Sequence, residues 1–280
     1  MKTVADFVEL RDELRALRAG GRSVGFVPTM GALHEGHLSL VRRAKEENDH
    51  VVVSIYVNPA QFGPEMDLDT YPRDPEGDAA LLDELGVDLI FHPDDASMYP
   101  DTHRTWVEVE GLTEHLDGAS RPGYFRGICT VVLKLLNLVA PDRAYFGEKD
   151  IQQALVLRRL CADLFLEVQL TRCPTVREPD GLAMSSRNLR LAPEDRESAL
   201  SLHRGLSAAS ERWSAGERDA AVLMQACREI MEAAPGVEVD YVQLVDLETM
   251  QPLETVDQPA CLAVAVDLGA VRLIDNVLFE

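Results

Sequence analysis

A chain of 280 residues can form one large domain or two smaller ones, and 46% apolar with 27% charged residues is the make-up of a soluble globular protein. Its 48 acidic against 27 basic residues leave a formal charge of −21, which argues against nucleic acid and anionic membrane as partners, because both are bound by Lys and Arg that neutralise phosphates. A small phosphorylated ligand stays open: charges more than roughly 8 Å apart are largely screened in physiological salt, so a pocket answers to the residues that line it.

The first twenty residues, MKTVADFVELRDELRALRAG, space apolar residues three and four apart and predict an amphipathic helix with no secretory core, hence a cytoplasmic protein. Val24 to Val27 reads as a buried strand, His37 to Asn48 as a helix, and the β-branched run HVVVSIYVN (His50 to Asn58) as a second strand. A helix from Asp74 ends at the C-cap glycine Gly86, and VDLIFHP (Val87 to Pro93) is a third strand. Phe125 to Val139 predicts a core helix, Ala144 to Phe146 a short strand, Ile151 to Leu164 a helix, and Glu167 to Val176 the closing strand. The longest apolar stretch, Ile128 to Ala140, holds Lys134 and Asn137 and is too short to span a bilayer. Strands alternating with helices predict an α/β fold, a Rossmann-like, doubly wound parallel sheet. After the polar loop REPDGLAMSSRN (Arg177 to Asn188) the pattern changes to helices over Pro193 to Ala215 and Glu217 to Ala234, then strands over Val239 to Glu248 and Ala260 to Leu268. This predicts a second, smaller α+β C-terminal domain, with domains over 1–176 and 177–280. Cys129, Cys161, Cys173, Cys227 and Cys261 are odd in number and scattered without metal-ligand spacing, so they read as reduced core thiols.

In an open α/β sheet the ligand sits beyond the carboxyl ends of the strands, so the loops after Val27, Val57 and Phe146 should share one crevice. All three are chemically unusual. PTMGALHEGHLSLV (Pro28 to Val41) carries His34 and His37, with Gly31 before them and Gly36 between them, at the start of a helix whose free N–H groups suit an anion. Two imidazoles there can donate to charge developing on a phosphate, whereas a metal would need a third ligand that nothing nearby supplies. Capping or core histidines are the plainer alternative. NPAQFG (Asn58 to Gly63) offers neutral amides, of which an Asn-Pro turn explains Asn58 better than Gln61. GEKDIQQ (Gly147 to Gln153) places Lys149, one of four lysines, just past a strand, while Asp150 and Gln153 also fit a capping box.

The H-x-G-H stretch resembles the signature of the nucleotidylyltransferase superfamily, which includes the class I aminoacyl-tRNA synthetases. PTMGALHEGHLSLV, VNPAQFG, RPGYFRG, YFGEKDIQQ and PTVREPDGLAMSSRN, in that order and running on to the closing RLIDNVLFE, together resemble the pantoate–β-alanine ligase family over essentially the whole chain. That resemblance implies ATP, accompanied by Mg²⁺ on its phosphates and by no protein metal site, and the substrates pantoate and β-alanine. It implies ATP binding by Pro28, Thr29, Met30, Gly31, His34, Gly36, His37, Gly147, Lys149, Asp150, Val176, Met184, Ser185, Ser186 and Arg187. His37, His34 and Lys149 would be the catalytic residues, and Met30, Asn58, Gln61 and Gln153 would meet pantoate or β-alanine. Met184 to Arg187 stands where the synthetases carry their K-M-S-K-S loop, with a plain interdomain linker as the alternative. The implied reaction makes pantothenate, for coenzyme A, through a pantoyl adenylate, releasing pyrophosphate and AMP, in a homodimer. A nucleotidylyltransferase acting on a phosphorylated acceptor, or a binding module without catalysis, would use the same H-x-G-H loop.

Overall fold

The computed structural model describes residues 1–63 and 68–280, which fall into two compact units. The first comprises Met1–Val109, Arg121–Glu148 and Val156–Pro174; the second comprises Glu110–Ser120, Lys149–Leu155 and Thr175–Glu280.

The first unit is built on a six-stranded parallel sheet: β1 (Lys2–Val4), β2 (Val24–Thr29), β3 (His50–Ile55), β4 (Leu89–Phe91), β5 (Arg143–Gly147) and β6 (Gln169–Cys173), in the spatial order β1-β4-β3-β2-β5-β6. The helices are α1 (Phe7–Leu17), α2 (Glu35–Glu47), α3 (Pro75–Glu84), the single turns α4 (Asp95–Met98) and α5 (Asp117–Ser120), α6 (Tyr124–Val139) and α7 (Ile151–Asp163), of which α5 and the start of α7, as far as Leu155, belong to the second unit. Val24, Phe26 and Val27 of β2 and Val51, Val52 and Val53 of β3 are fully buried. That is the pattern of strands covered on both faces, and it explains why these two runs are continuously apolar rather than alternating.

Three expectations need correction. The first twenty residues are not all helix: Lys2–Val4 pairs with Leu89–Phe91 at the sheet edge, and Asp6 then starts α1 by accepting from Val8 and Glu9 N–H at 2.8 and 3.0 Å. A three-residue strand is too short to show a period. The second strand stops at Ile55, because the chain turns into a 3-10 turn at Pro59–Gln61, where proline has no N–H to give a ladder. The helix expected over Pro193 to Ala215 is a 3-10 turn at Pro193–Asp195 followed by α8 (Arg196–Ala199) and α9 (Ser201–Ser214), parted at Leu200.

In the second unit α9 and α10 (Ala220–Glu232) share a core with an antiparallel sheet of β7 (Val237–Asp246), β8 (Ala260–Leu268) and β9 (Val271–Phe279), order β7-β8-β9. Leu206, Leu223, Cys227, Leu262, Val264 and Phe279 lie at its centre. All five cysteines are buried free thiols, and burial pushes Cys161 and Cys173 up to about 11. Among the described residues no helix is long and apolar enough to cross a membrane.

Candidate active site

In the first unit β2 lies between β3 and β5, and the sheet changes winding direction there, since the chain leaves β4 on one side and returns to β5 on the other. The loops after β2, β3 and β5 therefore emerge at neighbouring strand ends, where ligands of doubly wound sheets bind.

The loop after β2 is held open by a buried carboxylate. Gly31 (φ 82°) and Ala32 (φ 49°) are both left-handed, and Asp78 of α3, 2% exposed, accepts the N–H of Ala32 at 2.9 Å and of Leu33 at 2.7 Å. A Cβ on Gly31 would stand 2.9 Å from Asp78 Oδ2, so this glycine is required for the carboxylate to approach rather than for a ligand to do so. Burial raises the Asp78 carboxyl above its ordinary range, against the opposing pull of the Leu33 and Ala32 N–H groups. Thr29, at the end of β2, donates to Ser54 O at 2.8 Å and accepts from Gly31 N at 3.3 Å, tying the loop to β3 as well.

His34 is the N-cap of α2, one residue outside its first turn. Its Nδ1 accepts from Gly36 N at 3.2 Å, and His37 Nδ1 accepts from His34 N at 3.4 Å, a capping box made of two imidazoles whose ring centroids lie 4.1 Å apart. The capping alternative is thus realised, and it has a chemical consequence. A ring whose Nδ1 accepts must carry its proton on Nε2, so each neutral histidine holds an Nε2–H donor beside the positive end of α2.

After β3, Asn58 caps the 3-10 turn Pro59–Gln61 and is 1% exposed. Its Nδ2 donates to Gln61 Oε1 at 3.0 Å and to Gly127 O at 3.2 Å, and its Oδ1 accepts Ala60 N at 3.3 Å. Both halves of this amide are spent inside the protein, and its effect is to orient Gln61, whose Nε2 lies 3.2 Å from Met30 Sδ. The turn reaches α6 so closely that a Cβ on Gly127 would meet Ala60 O at 2.3 Å. Pro28 lies near the end of β2 and Gly147 ends β5, where a Cβ would meet nothing within 4 Å.

In the second unit Lys149 and Asp150 lie in a 3-10 turn, Glu148–Asp150, that runs directly into α7. Asp150 is therefore not the extended residue that a capping box with Gln153 needs. Lys149 Nζ is 4.0 Å from Asp150 Oδ2.

The Arg177 to Asn188 segment is a built hairpin. Met184 N donates to Val176 O at 3.0 Å, Arg177 bridges Ala183, and Gly181 turns the chain at φ 99°. Arg196 reaches Glu178 and Asp180, each at 2.7 Å, and lowers both carboxyls. Asn188 Nδ2 donates to Glu178 Oε1 at 2.8 Å and Ala183 O at 3.1 Å. Ser185 then caps a 3-10 turn, Ser186–Arg190, by accepting Arg187 N at 3.3 Å. The linker alternative fails, because a solvated linker has no such framework.

The geometry joins His34 to His37 and, separately, Met30 and Asn58 to Gln61, all in the first unit, while Lys149, Asp150, Gln153, Val176 and Met184 to Arg187 lie in the second. Sequence reasoning missed Asp78, Gly127, Arg177, Asp275 and Asn276. A polar pair inside the apolar run RLIDNVLF was the available signal for the last two.

A family model described as pantoate-beta-alanine ligase matches residues 2–278. The pantothenate synthetase of Pelotomaculum thermopropionicum is 55% identical over 270 residues, covering 96% of each chain. The crystal structure of pantothenate synthetase from Thermus thermophilus superposes with a TM-score of 0.94 at 50% identity over 99% of both chains. The pantoate-beta-alanine ligase of Francisella tularensis, solved as a complex with "Beta-gamma ATP" and beta-alanine, gives a TM-score of 0.83 at 36% identity, covering 99% of this chain and 97% of that one.

Proposed function

The chain belongs to the pantoate–β-alanine ligase family, and from that premise we propose that it joins pantoate to β-alanine at the expense of ATP, through an enzyme-bound pantoyl adenylate. A carboxylate is a poor electrophile, so an amide can be made from it only after activation. The pantoate carboxylate attacks the α-phosphorus of ATP, and the bond to the bridging oxygen breaks with loss of pyrophosphate. The amine of β-alanine then attacks the acyl carbon and displaces AMP, losing a proton as the amide forms. No enzyme nucleophile is needed: positioning and neutralisation of phosphate charge carry the reaction.

The observation that carries this reading is the imidazole capping box, which fixes two Nε2–H donors at the head of α2, in the loop after β2, the strand that lies between β3 and β5. In the proposed complex His34 and His37 donate to the phosphates, Lys149 adds a point charge, and Ser185, Ser186 and Arg187 bind the polyphosphate by hydroxyl and guanidinium donors. Pro28, Thr29, Met30, Gly31, Gly36, Gly147, Asp150 and Val176 complete the nucleotide site. Gln61 and Gln153 read pantoate with neutral amides, which leave its carboxylate nucleophilic where an arginine would dull it; Asn58 acts through Gln61, and Met30 packs beside it. Mg²⁺ would ride on the triphosphate rather than in a protein cage and would offset part of its charge. Residues 1–176 form the nucleotide- and pantoate-binding domain in this reading and 177–280 the second domain. The resemblance further supports a homodimer in the cytoplasm.

The test is to mix the protein with ATP, Mg²⁺ and D-pantoate and omit β-alanine. Pyrophosphate at one equivalent per site with a retained adenylate is expected, and β-alanine should then release AMP. Pyrophosphate release that requires a phosphorylated acceptor instead would identify a nucleotidylyltransferase and end this reading.

A further inference from the structure

Two adjacent residues of β9, Asp275 and Asn276, are buried to 3% and 6% exposure among apolar neighbours, in a strand regularly paired with β8. A buried carboxylate persists only when it is paired. Asp275 is: Arg177 Nη1 and Nη2 donate to Oδ2 at 2.5 Å and Oδ1 at 3.0 Å, and Oδ1 also accepts the backbone N–H of Asn276 at 2.8 Å. Arg177 gives a further bond to Gly181 O at 3.2 Å, so this fork clamps the hairpin that leads into Met184 to Arg187. Side chains of successive strand residues leave on opposite sides, so Asn276 serves a different segment. Its Nδ2 donates to the backbone carbonyl of Lys149 at 2.9 Å.

We propose that Asn276 is a positioning residue for the ligase reaction, holding the Lys149 backbone at the distance and angle from which the ammonium meets the leaving pyrophosphate. The inference rests on the reading of Lys149 given above. The carbonyl of Lys149 lies one covalent step from the Cα that carries the ammonium's stem, so a fixed carbonyl fixes the origin of a side chain that is otherwise long and rotameric. Asn276 is itself fixed, through its own N–H, by the Asp275–Arg177 fork. Strand β9 thus sets the Lys149 turn and the Met184 to Arg187 hairpin in one register without touching substrate in this scheme.

The experiment is a double-mutant cycle read by single-turnover pyrophosphate release at saturating ATP and pantoate. Asn276→Ala should slow release roughly 10- to 100-fold, the effect of displacing a catalytic group by about an ångström. In a Lys149→Ala background the same change should have almost no further effect, because there is no ammonium left to misplace; general damage to the fold would instead multiply with the Lys149 loss. Asn276→Asp, equal in shape but setting an oxygen against the carbonyl, carries the same comparison if the alanine variant does not fold. Full-rate release by folded Asn276→Ala beside a crippled Lys149→Ala overturns this proposal alone, as does a penalty that persists undiminished without Lys149, or failure of both Asn276 variants to fold. Near-normal release by Lys149→Ala overturns the role of Lys149 and this proposal with it.

Discussion

Asp78→Asn keeps the shape of the side chain that holds the loop after β2 and takes away one of its two acceptor oxygens, leaving either Ala32 or Leu33 N–H facing an amide NH₂. A hydrogen bond to a charged group contributes roughly 1.5–3 kcal/mol, and a buried donor left without an acceptor costs roughly 1–3 kcal/mol. The loop also stores strain, since an L-residue in the left-handed region, as at Ala32, costs roughly 1–2 kcal/mol. One gain opposes these losses. The carboxyl is raised by burial, so a neutral amide escapes part of the desolvation penalty. The balance is a loss of about 1–2 kcal/mol, enough to relax the loop that sets His34 and His37. Urea unfolding should register that loss, and pyrophosphate release should fall by roughly 10²-fold if the histidines shift by an ångström. Stability within about 0.5 kcal/mol of the parent, the ordinary scatter of neutral substitutions, together with an unchanged rate, would refute the claim that this carboxylate positions the loop.

Three further outcomes follow from the same geometry. His37→Asn retains an oxygen where Nδ1 accepts the His34 N–H but has nothing at Nε2; it should fold normally and lose roughly 10²–10³ in pyrophosphate release, with His37→Gln recovering part of the loss. A normal rate for His37→Asn would reduce His37 to a cap. Gly127→Ala sets a methyl against Ala60 O and Gln61 N, so steady-state kinetics should show the KM for pantoate raised about tenfold or more with the KM for ATP unmoved; equal changes in both would place the damage elsewhere. Arg196 lowers the Glu178 and Asp180 carboxyls, so their pairing stabilises the fold above the ordinary carboxylate range and is lost as pH falls through their lowered values. The stability advantage of the parent over Arg196→Met in denaturant should accordingly be present at about pH 6 and fade towards about pH 3, and an advantage independent of pH would contradict it.

Strands of the parallel sheet were legible because burial on both faces leaves runs such as VVV (Val51 to Val53) and VGFV (Val24 to Val27) unbroken by polar residues. The same logic failed for Lys2–Val4, which pairs through backbone atoms at an edge and has too few residues to carry a pattern. The H-x-G-H and GEKD segments stood out since charge and imidazole beside strand ends have few structural uses. Asp78 and Asn276 did not, because each works on the backbone of a residue far off in sequence, Ala32, Leu33 or Lys149, and a backbone amide has no signature in the amino-acid order. Asn58 was visible as a turn residue; what could not be read is that burial against Gly127 turns its amide inward and makes it the support of Gln61.

The two histidines show why a structural role and a chemical one need not compete. A cap uses only Nδ1, and by using it settles which nitrogen keeps the proton. A free imidazole divides its proton between two tautomers, and only one of them presents a donor at Nε2. Accepting the Gly36 and His34 N–H groups removes the other tautomer before any nucleotide arrives, so the cost of orienting the donor is met in folding rather than in the reaction. The four unpaired N–H groups that every helix must satisfy at its start are the source of that orientation. For this reason an H-x-x-H spacing at a helix head is more than two nearby bases: the three-residue interval is the capping-box interval, and with any other spacing the rings would lose the reciprocal bonds that define their donors.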